Sequence, residues 1–270
     1  MNRVAISLGP INIYWYSVMI MIGAITAFIL IKREAKRRNI DDNFIINLVF
    51  YTFLFGLIGA RAYYVLFNLD YFLSNPIEII QIYNGGLAIH GGILAGALTI
   101  IIFCKKHNVN FLKVLDICVV GLIVAQAIGR WGNFFNQEAY GGVTTLEHLK
   151  SMHLPSFIIE GMNIGGNYYQ PTFLYESIWN IIGFIILILI RKLYKNLKTG
   201  KLTGIYLMWY SVGRFIIESM RSDSLMLGSL KMAQVISIVL FIVGFILVFI
   251  ISKSQELYKN ELKEIKTNWH

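Results

Sequence analysis

The chain has 270 residues, of which 56% are hydrophobic and only 14% are charged, and its formal net charge is +9. Charged residues make up about 25% of a typical soluble domain, so this composition excludes an ordinary soluble protein. The basic residues lie in short clusters between apolar runs, which is the topology pattern of membrane proteins and argues against a nucleic-acid partner.

Seven apolar runs of membrane-spanning length follow one another along the chain, with no long soluble stretch between them. We therefore predict an all-α polytopic membrane protein in which residues 1–270 form a single integral membrane domain. The predicted spans cover residues 11–31, 44–67, 87–103, 111–127, 173–190, 204–220 and 232–251.

The distribution of lysine and arginine over the connections predicts the orientation of the chain. These residues are concentrated in residues 32–38, 105–113, 191–201 and 252–270. Because basic connections stay in the cytoplasm, the N-terminus is predicted outside and the tail, residues 252–270, inside.

Two connections on the predicted outer side are longer than simple turns. The segment at about 69–84 mixes aromatic and aliphatic residues with few charges, which is typical of an interfacial segment. The loop at about 143–171 is long enough to form a small extracytoplasmic cap that touches a partner.

Charged and titratable side chains lie within or at the ends of several spans, where burying a charge is costly, so they are candidates for a functional site. The main charge on the inner side is Asp116, which we expect to cap the fourth span near the cytoplasm. The outer group comprises Arg61, His90, Arg130, Glu138, Glu176, Arg214, Glu218 and Arg221.

Spacings of four and three residues place Arg214, Glu218 and Arg221 on one stripe of the sixth span, with Tyr210 one turn earlier. Taken alone, this stripe fits a structural ion pair between Arg214 and Glu218 as well as it fits a binding site. The gathering of the whole outer group favours a polar cavity that opens toward the outer leaflet.

The residue types in this group suit a phosphate ligand. Arginine stays charged in a medium of low dielectric constant, and its planar guanidinium binds phosphate oxygens in pairs. Glycines beside Arg130 and His90 allow the backbone to approach a ligand and to offer N–H donors. A phospholipid headgroup fits this chemistry, and composition and spacing lead no further.

Residues 129–142 have the sequence GRWGNFFNQEAYGG. With this motif the chain resembles the bacterial phosphatidylglycerol–prolipoprotein diacylglyceryl transferase family, whose signature is Gly-Arg-x-Gly-Asn-Phe-x-Asn-x-Glu-x-x-Gly. Every fixed position of the signature is present, from Gly129 through Gly141. The resemblance covers nearly the whole chain and includes the stretches IYWYSVMI, GARAYYVLF, HGG, PTFLYE and GRFIIESMR. One departure is Gln170, which stands before PTFLYE where the family commonly has histidine.

The resemblance implies a reaction and its partners. Such an enzyme transfers the diacylglyceryl group of phosphatidylglycerol to the thiol of the lipobox cysteine in a prolipoprotein, which forms a thioether and releases glycerol-1-phosphate. The implied partners are phosphatidylglycerol, the signal-peptide and lipobox region of the prolipoprotein, and the bilayer. No nucleic acid, cofactor or metal is implied. The implied location is the bacterial cytoplasmic membrane, with the active site facing the outer leaflet.

The resemblance also implies site residues, carried over position by position from the matching motifs. Two further arginines, Arg61 and Arg221, match family stretches and are included here as substrate-binding residues. The family's functional positions correspond to Tyr16, His90, Arg130, Asn133, Glu138, Gly141, Arg214 and Glu218.

Each of these residues has a role that fits its chemistry. Arg130 and Arg214 are expected to stabilise the charge that builds on the departing phosphate. The glutamates of the set, Glu138 and Glu218, would fix these arginines. Asn133 and Tyr16 would orient the glycerol backbone, and Gly141 would permit a turn under the headgroup.

His90 is the best candidate base by pKa, because a thiol is a weak nucleophile until it is deprotonated. An arginine or the lipid phosphate itself could accept the proton instead. The structural alternative is a histidine that is hydrogen-bonded between helices packed at glycines.

Two other functions compete with the enzyme. A multi-pass lipid transporter or flippase would also bury charges, but it needs a polar path to both leaflets. A structural membrane protein would use the polar cluster only to hold helices together. Turnover of lipid and peptide by the pure protein separates both from a transferase.

Overall fold

The computed structural model describes residues 3–9, 11–82, 85–222, 224, 226–227 and 230–258. Helices dominate these residues. The helices are α1 (Trp15–Arg37), α2 (Asp42–Leu66), α3 (Leu69–Ser74), α4 (Ile89–Lys106), α5 (Phe111–Asn136), α6 (Leu146–Ser151), α7 (Ser156–Gly161), α8 (Thr172–Leu193), α9 (Lys201–Met220) and α10 (Met232–Phe249), with 3-10 turns at Pro76–Ile80 and Ile251–Ser254. The strands are β1 (Val4–Leu8), β2 (Ile11–Tyr14), β3 (Val143–Thr144), β4 (Asn163–Ile164), β5 (Asn167–Tyr169), β6 (Met226–Leu227) and β7 (Leu230–Lys231).

Six helices of the described chain are long and apolar enough to cross a membrane: α1, α2, α4, α5, α8, and α10 together with the 3-10 turn that follows it. The predicted span 204–220 is α9, which has 20 residues. That length corresponds to about 30 Å and would suffice for a crossing. α9 carries Arg214 and Glu218 and is not among these six helices, so a seventh crossing stays a prediction.

Two spans have boundaries that the apolar runs do not predict. The first span begins at Trp15, because residues 11–14 form β2 and pair with β1 in an antiparallel hairpin. The fourth continues through Asn136 and does not end at residue 127. The first eight of the thirteen signature positions are therefore helical.

The glycines of α5 allow this helix to pack closely against α1. A Cβ atom added at Gly132 would lie 2.9 Å from the ring of Tyr16, and one added at Gly121 would lie 2.8 Å from the carbonyl oxygen of Ala27. These contacts make α1 and α5 antiparallel neighbours that pack through small residues, as helices in membranes commonly do.

The described chain folds as two compact units, one of residues 3–31 and 115–258 and the other of residues 32–114. In the second unit, α2 and α4 pack against each other at glycines. A Cβ atom added at Gly59 would lie 2.8 Å from the carbonyl oxygen of Gly91, and one added at Gly56 would lie 3.5 Å from that of Gly92.

The predicted interfacial segment forms α3 and the 3-10 turn Pro76–Ile80 within the second unit. Leu73, Ile77 and Ile80 are exposed on it, which suits a segment that lies against lipid. Tyr83 and Asn84 of this segment, and residues 259–270 of the predicted tail, lie outside the described residues.

Residues 143–171 fold into a small lobe of α6, α7 and a three-stranded antiparallel sheet in the order β3-β5-β4. Its buried residues Leu149, Ile158 and Met162 pack with Phe134 of α5 and Phe173 of α8. The lobe is thereby attached to the helix ends that carry the signature motif and PTFLYE.

Asp116 caps a helix, but the helix is α9 and not its own α5. One of its buried carboxyl oxygens accepts a hydrogen bond from the N–H of Gly200 at 2.7 Å. The other accepts from the N–H of Thr203 at 2.8 Å and from its hydroxyl at 2.6 Å. Because the first N–H groups of a helix have no partner within the helix, these bonds stabilise the start of α9.

Candidate active site

Charged side chains from three helices of the first unit meet where α5 and α9 end and α8 begins. Glu176, near the start of α8, lies at the centre. Its Oε1 accepts a hydrogen bond from Nη1 of Arg214 at 2.7 Å, and its Oε2 pairs with Nε of Arg130. One carboxylate therefore holds two guanidinium groups side by side.

Helix α9 adds a second carboxylate to this arrangement. Oε2 of Glu218 lies 2.7 Å from Nη2 of Arg214 and 3.7 Å from Nη1 of Arg221. The spacings of four and three residues bring both arginines within reach of the glutamate on the helix surface. We call the chain of ion pairs Arg130–Glu176–Arg214–Glu218–Arg221 the arginine network.

The carboxylates of the arginine network are covered, while its guanidinium groups are partly accessible. The side chains of Glu176 and Glu218 are 8% and 3% exposed, against 22%, 15% and 14% for Arg130, Arg214 and Arg221. Three cations face two anions, so one positive charge is in excess. Each guanidinium has five N–H donors, and those of Arg130 and Arg214 outnumber the ion pairs they make here, so an anion can bind to these two groups.

The polar residues of the signature motif connect to this network through Arg130. Nη1 of Arg130 donates to Oδ1 of Asn133 at 3.4 Å, and Nδ2 of Asn133 donates to Oε1 of Glu138 at 2.9 Å. Glu138 was expected to fix an arginine, but it binds this amide. The chain leaves the helix after Asn136, and Gln137, with φ 52°, turns Glu138 back over the last turn of α5. Arg130 pairs with Glu176 in its place.

Gly141 brings the end of the motif against the end of α9. It forms a β-bridge with Arg221, and its N–H donates to the carbonyl oxygen of Gln170 at 3.0 Å. A Cβ atom at Gly141 would lie 2.9 Å from Cβ of Gln170 and 3.1 Å from Cγ2 of Thr172. Close packing leaves no room for a side chain at Gly141. The interaction of Gln170 with Gly141 is made by its backbone carbonyl oxygen.

Tyr16 is the second residue of α1 and lies beside the turn of α5 that carries Asn133. Its ring and Cα pack on Gly132, the residue before Asn133. The neighbouring Trp15 stacks on Phe135 with ring centroids 5.1 Å apart. Tyr16 is 36% exposed, so its side chain remains accessible next to the signature motif.

Two expected site residues, His90 and Arg61, belong to the second unit. His90 lies in the first turn of α4, is exposed, and has its ring centroid 6.3 Å from that of Tyr63. Arg61 is buried, and its guanidinium donates four hydrogen bonds to main-chain carbonyl oxygens of the interfacial segment and of the glycines that follow it. These carbonyls belong to Glu78, Ile79, Gly85 and Gly86. These bonds hold the segment in place.

A narrow cleft lies beside the arginine network. Glu176, Arg214 and Tyr210 line it on one side, and Trp179 and Gly213 on another. The guanidinium of Arg214 in the wall of this cleft can stabilise negative charge that develops beside it.

The sequence did not single out two residues that organise this site. Glu176 was recognised only as one intramembrane charge among several, although its place in PTFLYE at the start of an apolar run is a usable signal. Lys231 was not recognised at all. Its Nζ donates to the carbonyl oxygens of Glu218 and Arg221 at 2.8 Å each, which fixes the end of α9.

Comparison with known proteins shows which proteins the chain as a whole is similar to. A family model described as prolipoprotein diacylglyceryl transferase matches residues 3–250. A phosphatidylglycerol–prolipoprotein diacylglyceryl transferase of Staphylococcus xylosus is 46% identical over 250 residues, covering 92% of this chain and 89% of the relative. Proteins with the same name from Bacillus cytotoxicus and Bacillus cereus are 46% and 47% identical. The first of these matches covers 98% of this chain and 97% of the relative, and the second covers 93% and 92%.

Proposed function

This chain belongs to the prolipoprotein diacylglyceryl transferase family, and we propose that it transfers the diacylglyceryl group of phosphatidylglycerol to the lipobox cysteine of prolipoproteins. The transfer forms a thioether and releases glycerol-1-phosphate, as the first step of lipoprotein maturation. The observation that carries the proposal is the arginine network, in which two guanidinium groups share the carboxylate of Glu176.

The reaction exchanges one bond at a glycerol carbon. A bond forms between the cysteine sulfur and this carbon, while the bond from the carbon to the phosphate oxygen breaks. The thiol loses its proton, and the departing oxygen gains negative charge. Arg130 and Arg214 are held close enough together for both to bind the phosphate, so they stabilise this charge as the bond breaks.

The glutamates prepare the arginines for this task. Glu176 and Glu218 hold the guanidinium groups in place before the lipid arrives, so less ordering is needed in the transition state. Asn133, which accepts a hydrogen bond from Arg130, and the accessible Tyr16 orient the glycerol backbone.

The remaining assignments rest on the matching motifs and, for Arg221, also on its place in the arginine network. His90 is assigned as the base that accepts the proton of the thiol. Gly141, Glu138 and Arg221 are assigned to substrate binding around the headgroup. Arg61 is left out of the phosphate ligands, because its hydrogen bonds to carbonyl oxygens occupy most of its donors.

We place the enzyme in the bacterial cytoplasmic membrane as one multi-pass domain, with its site toward the outer leaflet. The six apolar helices support a multi-pass membrane protein. The clustering of basic residues in alternate connections supports the orientation. A lipid transporter is not favoured, since the relatives are named as transferases.

The function is tested with pure protein in detergent, phosphatidylglycerol and a peptide that carries a single lipobox cysteine. We expect the peptide to gain the mass of a diacylglyceryl group and glycerol phosphate to appear in equal amount, without added metal or nucleotide. The same peptide with serine should stay unmodified, because a hydroxyl is a far weaker acid than a thiol. A folded protein that leaves the cysteine peptide unmodified would refute the proposal.

A further inference from the structure

Helices α8 and α9 are joined by a reciprocal pair of tryptophans. The indole N–H of Trp179 donates to the carbonyl oxygen of Trp209 at 3.0 Å, and the indole N–H of Trp209 donates to that of Trp179 at 3.0 Å. The two rings stack with centroids 4.3 Å apart and an angle of 17° between their planes. Each residue thus acts as both donor and acceptor for the other.

Two glycines make room for this pair. Gly183 follows Trp179 by four residues on α8, and Gly213 follows Trp209 by four residues on α9. A Cβ atom at Gly213 would overlap the indole of Trp179, and one at Gly183 would overlap the indole of Trp209. The same Trp-x-x-x-Gly pattern therefore occurs on both helices, and the tryptophan of each helix packs on the glycine of the other.

The tryptophan pair lies next to the arginine network in both helices. Glu176 is one turn before Trp179 on α8, and Arg214 directly follows Gly213 on α9. All four residues line the narrow cleft beside the network. Trp179 and the glycine beneath it consequently form part of the wall next to which Glu176 and Arg214 meet.

Register between the two helices decides whether Glu176 reaches Arg214. A shift of one residue moves a helix by about 1.5 Å and turns it by about 100°. The 2.7 Å bond between Arg214 and Glu176 would not survive that change in its present form. A flexible arginine side chain could reach a glutamate in several registers of the two helices. Two stacked indoles with reciprocal hydrogen bonds can form in only one register.

We propose that the pair of Trp179 and Trp209, seated on Gly213 and Gly183, is a positioning device that sets the register of α8 and α9 for catalysis. This inference rests on the transferase function proposed above. The pair does not touch the reacting atoms. It fixes Glu176, and through Glu176 the two arginines that stabilise the leaving phosphate.

The test replaces members of the pair and measures kcat and KM separately. Trp179→Phe keeps a ring but removes the hydrogen bond, and Gly213→Ala pushes a methyl group into the indole. Both should lower kcat at least tenfold with little change in KM for phosphatidylglycerol. They should also weaken the circular-dichroism couplet that two stacked indoles produce. The double variant Gly213→Ala with Trp179→Leu should be no less active than Trp179→Leu alone, because the overlap is gone.

Gly204→Ala is the matched control on the same helix. Its new methyl group would meet the carbonyl oxygen of Gly244 at 2.7 Å, in the contact between α9 and α10. We expect this variant to melt at a lower temperature but to keep the wild-type kcat per folded molecule. Wild-type kcat in folded Trp179→Phe and Gly213→Ala, or an equal loss of kcat in Gly204→Ala, would overturn the proposal.

A second measurement does not depend on turnover. If the pair sets the position of Glu176, the losses in melting temperature caused by Trp179→Phe and Glu176→Gln should not add. Additive losses would overturn the positioning role even if the wild-type protein proved inactive. An inactive wild type with non-additive losses would instead refute the transferase and leave the positioning of Glu176 supported.

Discussion

At Glu176, one carboxylate lies between two guanidinium groups that would otherwise repel each other in a medium of low dielectric constant. Under the proposed function, such a site exchanges part of its internal pairing for hydrogen bonds to the oxygens of a phosphate. Its function then depends on two properties of individual residues, the charge of the glutamate and the planar shape of the arginines.

The first prediction concerns the shape of Arg130. Arg130→Lys keeps the positive charge but loses the fork that binds Glu176 and a phosphate together, so turnover should fall about 100-fold or more. The assay with the lipobox peptide measures this loss. Arg33→Lys, at an exposed position of α1, is the control and should retain full activity. Equal activity of the Arg130 variant and the wild type would remove Arg130 from the site.

The second prediction concerns the charge of Glu176. Glu176→Gln has almost the same size but can no longer pair with both arginines, and charge-assisted bonds of this kind are worth about 1.5–3 kcal/mol. A loss of that size in transition-state stabilisation lowers kcat/KM about 10- to 100-fold. Glu160→Gln, on the exposed surface of α7, should be unaffected. Retention of activity in Glu176→Gln would show that the network is structural.

The third prediction separates Arg61 from the arginines of the network. A lysine has three donors on one nitrogen and cannot reproduce the four bonds that Arg61 makes to separate carbonyls. Arg61→Lys should therefore lower the melting temperature and leave KM for phosphatidylglycerol little changed. An unchanged melting temperature with a raised KM would instead identify Arg61 as a lipid ligand.

At the scale of helices, the network depends on α9, which is held at both ends. Asp116 of α5 caps its first turn, and Lys231 binds the carbonyl oxygens of its last turn. Arg214 and Glu218 lie between these two points. The start of α9 is thus fixed far from the end that carries the arginine network.

The fourth prediction follows from the cap at the start of α9. Asp116→Asn offers one acceptor oxygen where the structure uses two, so at least one N–H of Gly200 or Thr203 loses its partner. The loss should be about 1–3 kcal/mol of unfolding free energy, seen as a lower melting temperature in detergent. Asp70→Asn, at an exposed position of α3, should melt like the wild type. An unchanged melting temperature for Asp116→Asn would show that the cap contributes little.

How much of this could be predicted from the sequence depends on the distance over which residues interact. The six apolar helices and the Arg214–Glu218 stripe follow from local periodicity. The extension of α5 through Asn136 does not follow from local periodicity, because glycines and polar residues usually end a span. Here Gly132 stays within the helix and packs against Tyr16. The central place of Glu176 depends on pairing with Arg214, 38 residues away, which no local pattern reveals.

For the molecule as a whole, the direction in which the chain crosses the membrane decides which leaflet supplies the lipid. The signature end of α5, the start of α8 and the end of α9 meet in the arginine network. The basic connections 32–38, 105–113 and 191–201 alternate with the connections at the network end. The positive-inside rule then predicts that the network faces outward, toward exported prolipoproteins.

The fifth prediction tests this orientation with single cysteines in a background that lacks Cys104 and Cys118. Cysteines at the exposed positions Ser74 and Lys150 should react with a membrane-impermeant maleimide in intact cells. A cysteine at the exposed position Lys195 should react only after the cells are permeabilised, because its connection is basic and stays in the cytoplasm. Labelling of Lys195 but not of Lys150 in intact cells would place the arginine network at the cytoplasmic leaflet, where it could not meet a thiol that arrives after export.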